Sequence, residues 1–160
     1  MIIRDSLIDV PLIDKYFSWS EMACKGDNSV IWSEKVRTFT IMVNQFRKWY
    51  NRPISPVSWY RTAEYNATIP NSSKYSQHVS GLAMDFHYPA DEWARFDNHR
   101  KTIFANNIIN KWKELATDHH VTYGIILYDW GFHIDAGGRL DSIVRDYRQK
   151  ETYVFSKGVK

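Results

Sequence analysis

The sequence predicts an α+β fold: a small antiparallel sheet packed with helices. Three observations predict it. Apolar residues recur at spacings of three and four over 33–51, the signature of an amphipathic helix. Residues alternate with period two at 82–87, and further β-rich runs lie between 123 and 135. Helices and strands do not follow the β-α-β order that a parallel sheet demands. The 160 residues are read as a single domain, 1–160, since one domain takes roughly 100–200 residues.

The first strong helix opens at Ser33, an N-cap, with Glu34 in its first turn. Val36, Phe39, Val43, Phe46 and Tyr50 form its apolar face, and Pro53 stops it. Ile54 to Trp59 reads as a short strand, at an edge or a strand start because Pro56 has no N–H to donate. Residues 60–80 show no period and are predicted as a long loop, which a compact domain usually keeps for function. Leu82, Met84 and Phe86 then alternate with Ala83, Asp85 and His87, so Asp85 and His87 share the polar face of a strand.

The segment 90–117 is helical in character, with Ile103, Ile108, Trp112 and Leu115 as its apolar face and a break near 97–99. Tyr123 to Tyr128 is a strand and Trp130-Gly131 a turn. Phe132 to Asp135 is extended again before Gly137-Gly138. A last short strand is expected near Thr152–Phe155.

Composition narrows the function. The single cysteine, Cys24, excludes an intrachain disulfide and a tetrathiolate zinc site, and is expected as a small buried hydrophobe. A net charge of +3 suits an anionic partner, but the chain lacks the Lys/Arg cluster a nucleic-acid-binding domain needs. No apolar run reaches the roughly 18 residues of a membrane span. The opening Met1–Val10 is broken by Arg4, Asp5 and Asp9, so no signal peptide is expected and synthesis in the cytoplasm is. Aromatic residues make up 16% of the chain; most are expected in the core. Trp59, Tyr60, Tyr75, Tyr128 and Trp130 flank the motifs below and are candidates to line a cleft.

Those motifs begin with His78 at the end of the long loop and Asp85 on the incoming strand, with a turn at Gly81 between them. A second imidazole comes from His133. Two imidazoles and one carboxylate, with the fourth position open, make a hydrolytic zinc site, and imidazole nitrogen favours zinc over magnesium. The spacing alone is a weak signal. His119-His120 is read as a capping and loop feature, because adjacent side chains diverge.

Ser76-x-His78-x-x-Gly81-x-Ala83-x-Asp85 resembles, at every defining position, the S-x-H-x-x-G-x-A-x-D signature of the zinc D-Ala-D-Ala peptidases. These belong to the clan of lysostaphin-type, D-Ala-D-Ala-type and hedgehog-type metallopeptidases, phage endolysins among them. Phe17-Ser18-x-x-Glu21-x-x-Cys24 is similar to the family's amino-terminal segment, and Ser58-Trp59-Tyr60-Arg61-Thr62 with Asn66 to its S-G-Y-R-T-x-x-x-N turn. Gly131-Phe132-His133-Ile134-Asp135 resembles its late F-x-H-x-D strand. Four motifs in order are far more specific than one.

The resemblance implies a hedgehog/D-Ala-D-Ala peptidase-like fold in which His78, Asp85 and His133 bind Zn2+ and Arg61 stabilises the transition state. The acid that relatives carry three positions before the last histidine is Trp130 here. Asp129 is the first candidate for general base, taking a proton from the attacking water and returning it to the leaving amine. Asp135 is the second, since it can instead orient a zinc ligand. The implied activity is hydrolysis of an amide bond in peptidoglycan stem peptides, as a D-Ala-D-Ala-type carboxypeptidase or an L-Ala-D-Glu-type endopeptidase. A monomer is expected, with no nucleic-acid or membrane partner, reaching the cell wall after holin-type release or as part of a virion. The alternative is a non-catalytic zinc-containing binding or virion structural domain of the same fold.

Overall fold

In the computed structural model, which describes residues 2–3 and 16–148, the helix predicted from Ser33 is α2, Glu34–Tyr50. The Ser33 hydroxyl accepts from the Val36 N–H at 3.1 Å, satisfying a donor left over at the helix start. Before α2 come a two-stranded antiparallel pair, β1 (Ile2–Ile3) and β2 (Val30–Ile31), and a single turn of helix, α1 (Trp19–Met22). After it come α3 (Ala63–Ala67), a 3-10 turn (Gln77–Ser80), β3 (Ala83–His87), α4 (Ala90–Arg95) and α5 (Asn98–Asp118). The chain then forms β4 (Tyr123–Leu127), β5 (Gly131–Ala136) and β6 (Ile143–Asp146).

The main sheet has the order β3-β5-β4-β6. Its first three strands are antiparallel neighbours, as expected, while β6 runs parallel to β4. The cause is the loop 137–142, which leaves β5 and passes beneath the start of β4. Gly137 N–H donates to the Thr122 carbonyl (2.8 Å), the Thr122 hydroxyl to the Arg139 carbonyl (2.7 Å), and the Tyr123 N–H to the Ser142 hydroxyl (3.1 Å). The strand expected near Thr152–Phe155 lies outside the described residues.

Three local expectations need correction. Ile54–Trp59 is not a strand: it makes one bridge, Ser58 opposite Asp85, on the outer edge of β3. Val57 N–H donates to the Asp85 carbonyl and Asp85 N–H to that of Ser58, both at 2.8 Å, while Pro56 has no donor to extend the ladder. The loop 60–80 holds two short helical pieces, α3 and the 3-10 turn. Ile103 is 46% exposed rather than part of the apolar face. It stands five residues before Ile108, about 140° round a helix of 3.6 residues per turn.

The core lies between the sheet and the pair α2 and α5. Met84, Phe86, Phe132, Ile134, Ile125 and Leu127 cover the inner face and are buried. Phe46 of α2 meets Phe86, Phe132 and Trp112 edge-on at 5.9–6.4 Å between ring centroids. Burying each such side chain stabilises the fold by roughly 1.5–3 kcal/mol. Two buried indoles also reach the backbone: Trp59 Nε1 donates to the Gly81 carbonyl (3.1 Å) and Trp112 Nε1 to that of Asp135 (2.9 Å). The core thus holds the backbone on which the polar residues of the outer face stand.

Candidate active site

Strand alternation puts Ala83, Asp85 and His87 of β3 on the face away from the core. Register then aligns Asp85 with His133, His133 with Ile126, and Ile126 with Arg145. One row therefore crosses all four strands, polar at every position but Ile126. His78 reaches it from the 3-10 turn. The Ser76 hydroxyl accepts from the His78 N–H, and the Gly81 N–H closes the turn on the His78 carbonyl. Gly81 has φ of 73°, and a Cβ there would strike Ile31. A glycine is therefore required for the backbone and for the packing. The spacing His78-x-x-Gly81-x-Ala83-x-Asp85 is the path of one turn folding back onto one strand.

The result is a compact cluster. One donor atom each from His78, Asp85 and His133 lies within 4.8 Å of the others. His78 Nε2 stands 3.1 Å from Asp85 Oδ2, and His133 Nδ1 2.9 Å from Asp85 Oδ1. The far nitrogens are taken. His78 Nδ1 donates to the Trp59 carbonyl at 2.6 Å, which leaves the Nε2 lone pair towards Asp85. His133 Nε2 faces Asp135 Oδ2 at 2.7 Å. An outer partner of this kind fixes ring orientation and tautomer in metal-binding histidines. Arrangement and donor chemistry both fit a zinc ion among these three side chains.

Charge follows geometry. Burial holds His78 below its ordinary value and thus neutral, as a metal ligand must be. Burial alone would raise Asp85, but hydrogen bonds from His133 and His78 outweigh it and hold the carboxyl well below the usual range. For His133 burial works downward, yet its bonds with Asp135 and Asp85 push it up to about 9 without a metal. Asp135, fully buried, is also kept ionised against burial, by His133 and by Arg139.

Arg139 grips both oxygens of Asp135 at 2.7–3.0 Å. Gly124 lies opposite Asp135 on β4, and a Cβ there would collide with the Asp135 carboxylate and with Arg139 Nε. Neither residue stands out in the sequence, where Arg139 looks like any surface cation and Gly124 like a gap in a strand.

Arg61 is brought to the cluster by the other motif. Its Nη2 lies 3.4 Å from Asp85 Oδ2, while Nε donates to the Ser58 hydroxyl (2.9 Å) and Nη1 to Asn66 Oδ1 (3.3 Å). The amino-terminal motif is a support. Ser18 and Glu21 form a capping box on α1, and buried Cys24 takes the Thr62 N–H on its sulfur at 3.4 Å. Trp59 and Tyr60 are buried and are not part of the lining of the cleft beside the cluster, whereas Tyr75, Tyr128 and Trp130 are.

The two acid candidates are placed differently. Asp135 touches the cluster from behind. Asp129 is exposed on the turn between β4 and β5, outside the cleft lining to which its neighbours Tyr128 and Trp130 belong. His87 is exposed with its ring against Trp130 at 5.5 Å. His119 bonds Gln45, and His120 ends α5 in a left-handed conformation, so they form no metal pair.

A family model, that of peptidase M15, matches residues 15–116, well over half of the chain. The protein belongs to the peptidase M15 family. The match includes Arg61, His78 and Asp85 and ends before His133, which the sheet register supplies. This M15 protein is therefore a metallopeptidase, and zinc is the ion its His-Asp-His group fits. No curated protein and no solved structure matches the chain significantly. Among the described residues no helix is long and apolar enough to cross a membrane.

Proposed function

We propose that this peptidase hydrolyses an amide bond in a peptidoglycan stem peptide, as a D-Ala-D-Ala-type carboxypeptidase or an L-Ala-D-Glu-type endopeptidase. The observation that carries the reading is Asp85, shared between two imidazoles and Arg61 in the wall of a cleft of about 730 Å3. His78 Nε2, an Asp85 oxygen and His133 Nδ1 are the ligands. Zinc bound there supplies Lewis acidity to the scissile carbonyl and to the attacking water.

Arg61 is already held by Ser58 and Asn66, so its guanidinium needs no reorganisation to stabilise the developing oxyanion. Asp135 keeps His133 oriented through Nε2. Asp129 carries the proton from water to the leaving amine, which requires the turn 128–130 to bring it inward when substrate binds. The enzyme acts on the wall after holin-type release or from a virion.

A second reading, a non-catalytic zinc domain, is favoured by one observation: neither acid candidate lines the cleft. Mass spectrometry of defined muropeptides, digested with zinc-loaded and with chelated protein, decides between them. Cleavage by the zinc-loaded form alone, at one bond, supports the hydrolase and identifies the bond. No cleavage favours the second reading. Cleavage that survives in both Asp129→Asn and Asp135→Asn overturns the assignment of the proton carrier.

A further inference from the structure

Three arginines line the cleft, and two of them are engaged: Arg61 with Asp85, and Arg139 with Asp135. Arg145 is different. It is exposed, and among the described residues no carboxylate pairs with it. Its Nη1 donates to the Tyr147 hydroxyl at 3.4 Å. The Tyr147 ring stacks on Tyr128 at 5.9 Å, and Tyr128 on Trp130 at 5.2 Å with ring planes 7° apart. A guanidinium thus stands against an aromatic wall at the end of the row that starts with Asp85 and His133.

We propose that Arg145 anchors a carboxylate of the substrate peptide, one or two residues from the bond that is cut. This rests on the hydrolase reading above and names what else the substrate must carry. Two strand spacings of about 4.8 Å separate the His133 and Arg145 backbones, roughly 10 Å in all. Peptide units of about 3.4 Å cross that gap within a few residues, and the arginine side chain shortens it. Chemistry selects the ligand. The guanidinium fork matches a carboxylate, and the aromatic wall excludes water from one side of the pair, strengthening it. Asp85 and Asp135 already have their partners, so a peptide bearing a carboxylate brings the missing charge. That carboxylate is either the C-terminal group or an acidic side chain of the peptide.

The test uses zinc-loaded protein and three synthetic stem peptides: the free acid, its C-terminal amide, and its side-chain amide. The wild type is expected to prefer the free acid over one of the amides by about 10- to 100-fold, seen in KM rather than kcat. The disfavoured amide identifies which carboxylate is held. In Arg145→Gln that ratio falls to near one, and Arg145→Lys, which keeps the charge and loses the fork, falls between. Zinc content and thermal midpoint check that the variants are intact; if the Gln variant is not, the Lys variant and the wild-type ratios decide. A wild type indifferent to both amidations overturns the proposal, as does a preference that persists without the arginine. If the wild type cleaves none of the peptides, the hydrolase reading fails by itself, and calorimetry on the same protein tests the anchor. Tighter binding of the free acid that depends on Arg145 sustains the anchor, and equal binding of acid and amides overturns it.

Discussion

The two ends of the polar row differ in kind. At β3 and β5, both nitrogens of His78 and of His133 are partnered, Asp135 is fully buried, and backbone carbonyls and indoles hold the frame. At β4, β6 and the turn 128–130, Trp130, Tyr147 and Arg145 are exposed: Trp130 and Tyr147 both stack on Tyr128, and Arg145 reaches the Tyr147 hydroxyl. Ions and transition states have fixed geometries, so the end that handles them is determined by many contacts at once. A substrate arrives in varied conformations, and the end proposed to meet it has an open surface.

The largest effect is expected from removing a ligand of the buried end. His133→Ala, or chelation of the native protein, should abolish both zinc retention and cleavage, checked by elemental analysis and muropeptide digestion. Arg61→Gln should retain zinc and lower kcat by about 100- to 1000-fold, the usual cost of losing one oxyanion donor. Equal zinc loss in this variant would remove the distinction between ligand and stabiliser.

Gly124→Ala tests the layer behind His133. Its Cβ must displace the Asp135–Arg139 pair, and zinc affinity is expected to fall about 10- to 100-fold, as when an outer partner of a ligand is lost. Competition with a calibrated chelator measures it.

A pH effect follows in the chelated protein. His133 is pushed up to about 9 from an ordinary 6.5. A raised value means the folded state holds its proton more tightly than the unfolded chain does. The resulting stability is full below pH 6.5 and is lost as pH rises towards 9. The thermal midpoint of chelated protein should fall across that window, and Asp135→Asn should flatten the fall. At the open end the effect should be smallest: Trp130→Ala should change unfolding free energy by no more than about 0.5 kcal/mol, as for an exposed position. A large loss there would mean that the aromatic wall is structural.

Much of this was legible in the sequence because it is local. The cap at Ser33, the period of α2, the parity of β3 and the break before α5 depend on neighbours within a few residues, and the structure shows each. Strand β6 was not legible: four residues, Ile143 to Asp146, carry too little period to stand out, and only pairing with β4 makes them a strand. Ile54–Trp59 misled because β-rich composition does not reveal whether the neighbouring edge can accept a full ladder.

By itself the sequence determined on which side of β3 Asp85 stands, because strand parity acts along the chain, while the set His78, Asp85 and His133 was implied by its resemblance to the D-Ala-D-Ala peptidases. Only the tertiary structure decided that His133 lies opposite Asp85, that Arg139 grips Asp135 over Gly124, and that Asp129 is exposed outside the cleft lining while Asp135 lies behind His133. Those are relations between strands, and register is set by the packing of the inner face against α2 and α5. Arg145 belongs to the same class. It shares the row of Asp85 and His133 because β6 runs beside β4.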